Sequence, residues 1–171
     1  MKFTISKEDF IEGLQQVQHV VSNRTTLPIL SNVLLEADGD SLRLTTTDLD
    51  VGVTGSVKAK VGKPGSTTLP ARRLAGIVRE LPADEVSIEV TSKDVASIKS
   101  GPSFFKILGL AKDEFPPLAT FEDANEYKIE QKVLKEALKM TSYAISNDET
   151  RYVLNGILCS FKEGLLTLVA T

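Results

Sequence analysis

The chain has 171 residues, 42% hydrophobic and 25% charged, with a net charge of −3. That is the make-up of an ordinary soluble globular protein, long enough for one domain plus part of another. The acidic balance excludes a broadly basic nucleic-acid binder, so any polyanion contact needs a local patch. The lone cysteine, Cys159, excludes an internal disulfide, and no apolar run approaches the ~20 residues of a membrane span. The expectation is a cytosolic protein.

The segment "FTI" at 3–5 alternates like a short strand, and Ser6 can cap the element after it, with Asp9 in the first turn. From Phe10 the apolar residues fall at 10, 14, 17 and 21, which is helical spacing. The β-rich runs "ILSNVLLEA", "SLRLTTT" and "VGVTGSVKAKV" follow, with turns expected at Asp38-Gly39-Asp40 and Asp48-Leu49-Asp50. Gly62 to Ser66 reads as a loop. Pro70 suits the first turn of a helix over 70–81 whose apolar face is Leu74, Ile77, Val78 and Leu81. Three short strands are expected near 85–90, 95–99 and 103–109, so the order β-α-βββ occurs twice by residue 110. "AKDEFPPLATFEDAN" (111–125), with adjacent prolines and four acids, reads as an interdomain linker. "YKI" at 127–129, a helical pattern over Gln131–Ile145 and two closing strands around Lys162-Glu163-Gly164 complete the chain.

An internal repeat organises these elements. Shifted by 124 positions, residues 2–47 lie on 126–171 without a gap, and eleven positions are identical, among them Glu12/Glu136, Ser22/Ser146, Asn23/Asn147 and Thr47/Thr171. Shared β-α-ββ patterning does not explain matched Ser-Asn, Thr and Glu in one ungapped register. Thr171 corresponds to Thr47, so the expectation is a piece of a longer repeat protein.

The helices carry the candidate binding residues. Over Gln131–Ile145, Leu134, Ala137, Leu138, Thr141 and Ile145 form one face, and Lys132, Lys135 and Lys139 stack on roughly the other. On the Pro70 helix, Arg72 and Arg79 lie opposite the apolar face, with the small Ala75 and Gly76 between them. Two such stripes in an acidic protein point to a polyanion-facing surface. The first helix offers only Lys7 before it and Arg24 after it. Catalytic signals are thin. His19 has no ligating neighbours in sequence, Asp48 and Asp50 suit a turn better than a metal, and "GKPGST" (62–67) lacks phosphate-loop spacing. Cys159 is expected to be buried. No cofactor or metal is expected, and no nucleophile, base and oxyanion site assembles.

Together "MKFTI", "LPILSNVLLE" (27–36), "LTTTDLD" (44–50), "TTLPARRL" (67–74) and "RYVLNGIL" (151–158) resemble the bacterial sliding clamps, the β subunits of DNA polymerase III. The resemblance covers the whole chain. It implies an α+β sliding-clamp (DNA clamp) fold of repeated β-α-βββ units, with antiparallel sheets outside and helices on one face. Residues 1–120 would be a complete first domain, ending in the linker near 111–125, and 126–171 the first half of the second. It implies a non-catalytic processivity factor whose partners are duplex DNA, DNA polymerase III and clamp-loader subunits, and a second copy closing a homodimeric ring. Arg24 and Arg72 match DNA-meeting positions, and Tyr152 an aromatic one in the loop after the second-unit helix. Val153 stands where many clamps carry a second aromatic, and Asp148 adds an acid to that loop. Leu154 and Thr171 match the rim of a partner-peptide pocket, incomplete here, and Phe105 a subunit-interface residue. Two alternatives stand beside this reading: a clamp-derived piece that binds only a protein partner, and a small nucleotide-binding enzyme.

Overall fold

The computed structural model describes residues 1–21, 27–118 and 126–171. The chain divides into two compact units, Met1–Thr120 and Phe121–Thr171.

In the first unit, β1 (Lys2–Ser6) leads into α1 (Lys7–Val17), then β2 (Asn32–Asp38), β3 (Ser41–Thr47), β4 (Gly52–Lys58), β5 (Lys60–Lys63) and β6 (Gly65–Pro70). Helix α2 (Ala71–Glu80) precedes β7 (Glu85–Val90), β8 (Val95–Ser100) and β9 (Ser103–Leu108). Every pairing in the two sheets is antiparallel, in the orders β5-β1-β7-β8-β9 and β4-β3-β2-β6. Ser6 caps α1 by accepting from the Asp9 amide, while its hydroxyl donates to the Asp9 carboxylate at 2.7 Å. Phe10, Leu14 and Val17 place the apolar face of α1 in the core, and Phe10 meets Phe3 edge to face at 6.3 Å. Helix α1 packs on β3 and β4, and α2 beside it packs on β2 and β6. The Thr46 hydroxyl donates to the Val17 carbonyl at the end of α1, and Lys7 Nζ donates to the Leu81 carbonyl that ends α2.

Several sequence expectations need correction. "VGVTGSVKAKV" is two strands in different sheets, because the chain turns at the buried Ala59 and β5 leaves β4 to pair with β1. Gly62–Ser66 is not a loop: β5 and β6 are interrupted only at Pro64, where Gly65 at φ +151° redirects the chain. Pro28–Ser31 is a 3₁₀ turn and not the start of a strand. The first part of the expected linker is strapped to the first unit. Thr68 and Leu110 exchange both backbone hydrogen bonds at 3.1 Å, and Thr68 Oγ1 also donates to the Leu110 carbonyl. Phe115 is buried against Ile29, Leu30 and Leu34, and Lys112 pairs with Glu36 at 2.6 Å. Residues 119–125 of the linker lie outside the described residues.

The second unit contains α3 (Gln131–Thr141), 3₁₀ turns at Ser142–Ala144 and Glu149–Leu154, and a hairpin of β10 (Leu158–Lys162) and β11 (Leu165–Val169). The 124-residue shift carries α1 onto α3, and the 3₁₀ turn Gln18–Val20 onto Ser142–Ala144, end for end. It carries the β2–β3 register onto the β10–β11 register pair for pair: Leu34↔Thr45 becomes Leu158↔Val169, and Asp38↔Ser41 becomes Lys162↔Leu165. Glu163 and Gly164 close the second hairpin with φ of +51° and +77°, the pair of positive values a type I′ turn requires. "YKI" is not a strand; Tyr127 instead stacks on Phe161 at 4.2 Å. Its counterpart Phe3 lies in a strand held between β5 and β7, and residues 126–171 contain no equivalents of those two. Cys159 is exposed, not buried, since neither face of this hairpin carries a fully buried residue.

Candidate nucleic-acid interface

Helix α2 begins where β6 ends at Pro70, so its apolar side is fixed on the sheet and its opposite side is left to solvent. Ala71, Leu74, Ala75 and Val78 are buried, which corrects the expectation that Ala75 is part of the outward face. Arg72 and Arg79 are exposed, and a cavity of about 410 Å³ lies along them, bounded by Gln18, His19, Ala75 and Gly76. The two arginines are seven residues apart, two helical turns or about 10.5 Å along the axis. Gly76 leaves open space between them, with nothing within 4 Å of the position a Cβ would occupy. Arg79 donates to Gln18 Oε1 at 3.4 Å, so the turn after α1 orients one cation of the pair. Among the described residues neither arginine has a carboxylate partner.

Sequence reasoning missed Gln18 and His19 as neighbours of this groove, and the exposed Arg73 beside it. A signal for Gln18 existed in its outward position after the α1 face, but nothing in sequence brings it to Arg79, 61 residues away. Lys7 does not line this groove; its ammonium donates to the Leu81 carbonyl at the end of α2. Arg24 lies outside the described residues. The Asp48-Leu49-Asp50 segment is the turn expected: Asp48 Oδ1 accepts from the Asp50 and Val51 amides, and Leu49 takes φ +85°.

On α3, Lys132, Lys135 and Lys139 are exposed and, among the described residues, form no ion pair. Leu134, Ala137 and Thr141 on the other side are half-buried. In the following loop, Asp148 caps the 3₁₀ turn by accepting from the Thr150 hydroxyl at 2.6 Å and the Thr150 amide at 2.9 Å. Those two bonds, the hydroxyl first, hold the Asp148 carboxyl below its ordinary range. Arg151 sits 3.6 Å from the same carboxylate and partly offsets its charge. The acid is therefore committed to shaping the turn that presents Tyr152, which is 78% exposed, and Val153 next to it. Leu154 is half-buried where this turn ends, its carbonyl accepting from the Ser146 amide, and Thr171 is exposed just beyond β11. In the first unit Phe105 is exposed on β9, the edge strand of its sheet, beside Phe104, over whose ring Lys106 Nζ lies at 5.7 Å.

Comparison with known proteins gives these features a common frame. The family profile described as DNA polymerase III beta subunit, N-terminal domain, matches residues 1–119, and that of the central domain matches 128–171. The Beta sliding clamp of Chlamydia muridarum is 39% identical over 171 residues, all of this chain and 47% of the relative. That of Bacillus subtilis is 35% identical over 179 aligned residues, again all of this chain and 47% of the relative. The crystal structure of the Bacillus subtilis DNA polymerase sliding clamp superposes with a TM-score of 0.94 at 34% identity, covering 100% of this chain and 47% of that one. The DNA polymerase III subunit beta of Pseudomonas aeruginosa superposes with a TM-score of 0.93 at 39% identity, with the same coverage. The chain spans about half the length of the relatives it matches. With both profiles, the α+β antiparallel fold and the internal repeat in agreement, the chain belongs to the DNA polymerase III beta subunit family, the bacterial sliding clamps.

Proposed function

We propose that this chain contributes the first domain and the opening half of the second domain of a processivity clamp. Such a protein encircles duplex DNA and tethers a DNA polymerase to its template without itself catalysing a reaction. The observation that carries the reading is the pairing of one repeated framework with unpaired cations. Arg72 and Arg79 on α2, and Lys132, Lys135 and Lys139 on α3, lack carboxylate partners among the described residues of an acidic protein. Contacts of this kind go to phosphates, carry no sequence information and release counterions, so they weaken steeply with salt. Arg24 and Tyr152 join them in this proposal, Tyr152 as a flat surface against sugar or base.

In the closed ring a second copy pairs head to tail along the β9 edge at Phe105, and the polymerase and clamp-loader subunits dock at a pocket whose rim includes Leu154 and Thr171. Domain one then covers residues 1–120 and the second domain starts at 126. Weak, non-specific contact is what the function needs, because a sliding ring must be held by closure and not by affinity.

The test loads the full protein containing this chain onto nicked circular DNA and isolates the complex at high salt. The protein stays with the circle and leaves when a restriction cut makes an end. Equal loss from circular and linear DNA overturns the reading.

A further inference from the structure

We propose that the first unit has a second binding site, a cleft between its two sheets that takes an extended basic peptide segment of a partner protein. The cleft measures about 870 Å³, within the size range of genuine ligand pockets, and lies where the chain passes from β4 to β5. It exists because that passage splits the strands between sheets. β5 pairs with β1 only as far as Thr4↔Lys60, whereas β7 pairs with β1 through Ser6↔Glu85. Of the last two residues of β1, Ile5 is buried against the core, and the exposed Ser6 alone is open on the side that β5 has left. An extended segment entering the cleft can meet Ser6 there, and the side chains of the cleft walls supply most of the affinity and the selectivity.

The walls select the side chains. Ile5 and Ala59 are buried and give the cleft an apolar floor. Asp9, Asp40, Asp84 and Glu85 come from three separate parts of the fold, against only Lys58 and Lys60 from the β4–β5 passage. Four carboxylates against two ammonium groups leave the mouth negative, and among the described residues none of the six is in an ion pair. The carboxylates are too dispersed for a metal: among the described residues no group of three or more ligating side chains converges. Dispersed acids over an apolar floor fit a strand that alternates apolar and cationic residues. The cleft is distinct from the arginine groove along α2, with which it shares no lining residue.

The experiment titrates the 171-residue chain, followed by amide NMR shifts, with acetyl-Val-Arg-Val-Arg-Val-amide, its glutamate counterpart and spermidine. The arginine peptide shifts Ile5, Ser6, Ala59 and Glu85, and the glutamate peptide does not. The triple variant Asp40→Asn, Asp84→Asn, Glu85→Gln lowers affinity about fivefold, as expected for loss of exposed charge pairs, with an unchanged thermal midpoint. Ser41→Trp, at the exposed rim, blocks binding sterically while leaving the four carboxylates in place. The proposal fails if both peptides shift the same amides equally, or if spermidine reproduces the arginine-peptide pattern, or if the shifts map elsewhere.

Discussion

Replacing Phe115 by alanine tests whether residues 110–118 belong to the first unit or merely lead away from it. Phe115 is 8% exposed and fills a small cluster with Ile29, Leu30 and Leu34, against which Leu110 also packs. Removing a buried phenylalanine costs about 3–5 kcal/mol, and a cluster this small, at the surface, can partly collapse, so about 3 kcal/mol is expected. For a unit of this size that lowers the melting temperature by roughly 10 °C. All three tyrosines lie in the second unit and there is no tryptophan, so the probes separate the units. Far-UV circular dichroism in urea, dominated by the larger unit, loses stability, while the tyrosine fluorescence midpoint stays where it was. Pro117→Ala, at an exposed position of the same strap, changes neither by more than about 0.5 kcal/mol. A loss below about 0.5 kcal/mol for Phe115→Ala would show that the strap is a linker after all.

Two glycines should respond in opposite directions. A Cβ at Gly109 collides with the Thr68 carbonyl oxygen, so Gly109→Ala destabilises by about 2–4 kcal/mol, whereas Gly76→Ala, in open space on a helix, stabilises by up to about 1 kcal/mol; thermal melts measure both. Asp148 has a folded value held below the ordinary 3.8, so its contribution to the order of the loop is present above that value and is lost as pH falls through the depressed one. The Thr150 amide resonance should therefore move only at acid pH, and Asp148→Asn should remove that movement.

The repeat was the most informative feature of the sequence, and it was informative because hairpin register follows side-chain parity. The match of Leu34 to Leu158 and of Leu44 to Leu168 fixes which residues share a face, and the two hairpins share one register. What parity cannot report is which sheet a strand joins. Val57, Ala59 and Val61 keep the period of two through the passage from β4 to β5, so the sequence carries no mark of the change. Composition misled at the strap, since a single phenylalanine among acids and prolines has no period to reveal it. The cationic faces of α2 and α3 were legible from helical spacing, but the Gln18–Arg79 contact and the diversion of Lys7 to a helix end depend on residues 61 and 74 positions apart. Cys159 shows the same limit: apolar neighbours predict burial only where something lies against the sheet.

The central claim is that the cations of α2 and α3 face phosphate, and the most direct test is the salt dependence of duplex binding by this chain. Affinity on the order of 10⁻⁴ M or weaker at physiological salt is expected, falling as salt rises. Arg72→Ala with Arg79→Ala, and separately Lys132→Ala, Lys135→Ala and Lys139→Ala together, should each flatten the log–log slope by about one unit for every phosphate no longer neutralised, equally for unrelated DNA sequences. A slope that neither set of substitutions changes would contradict the account.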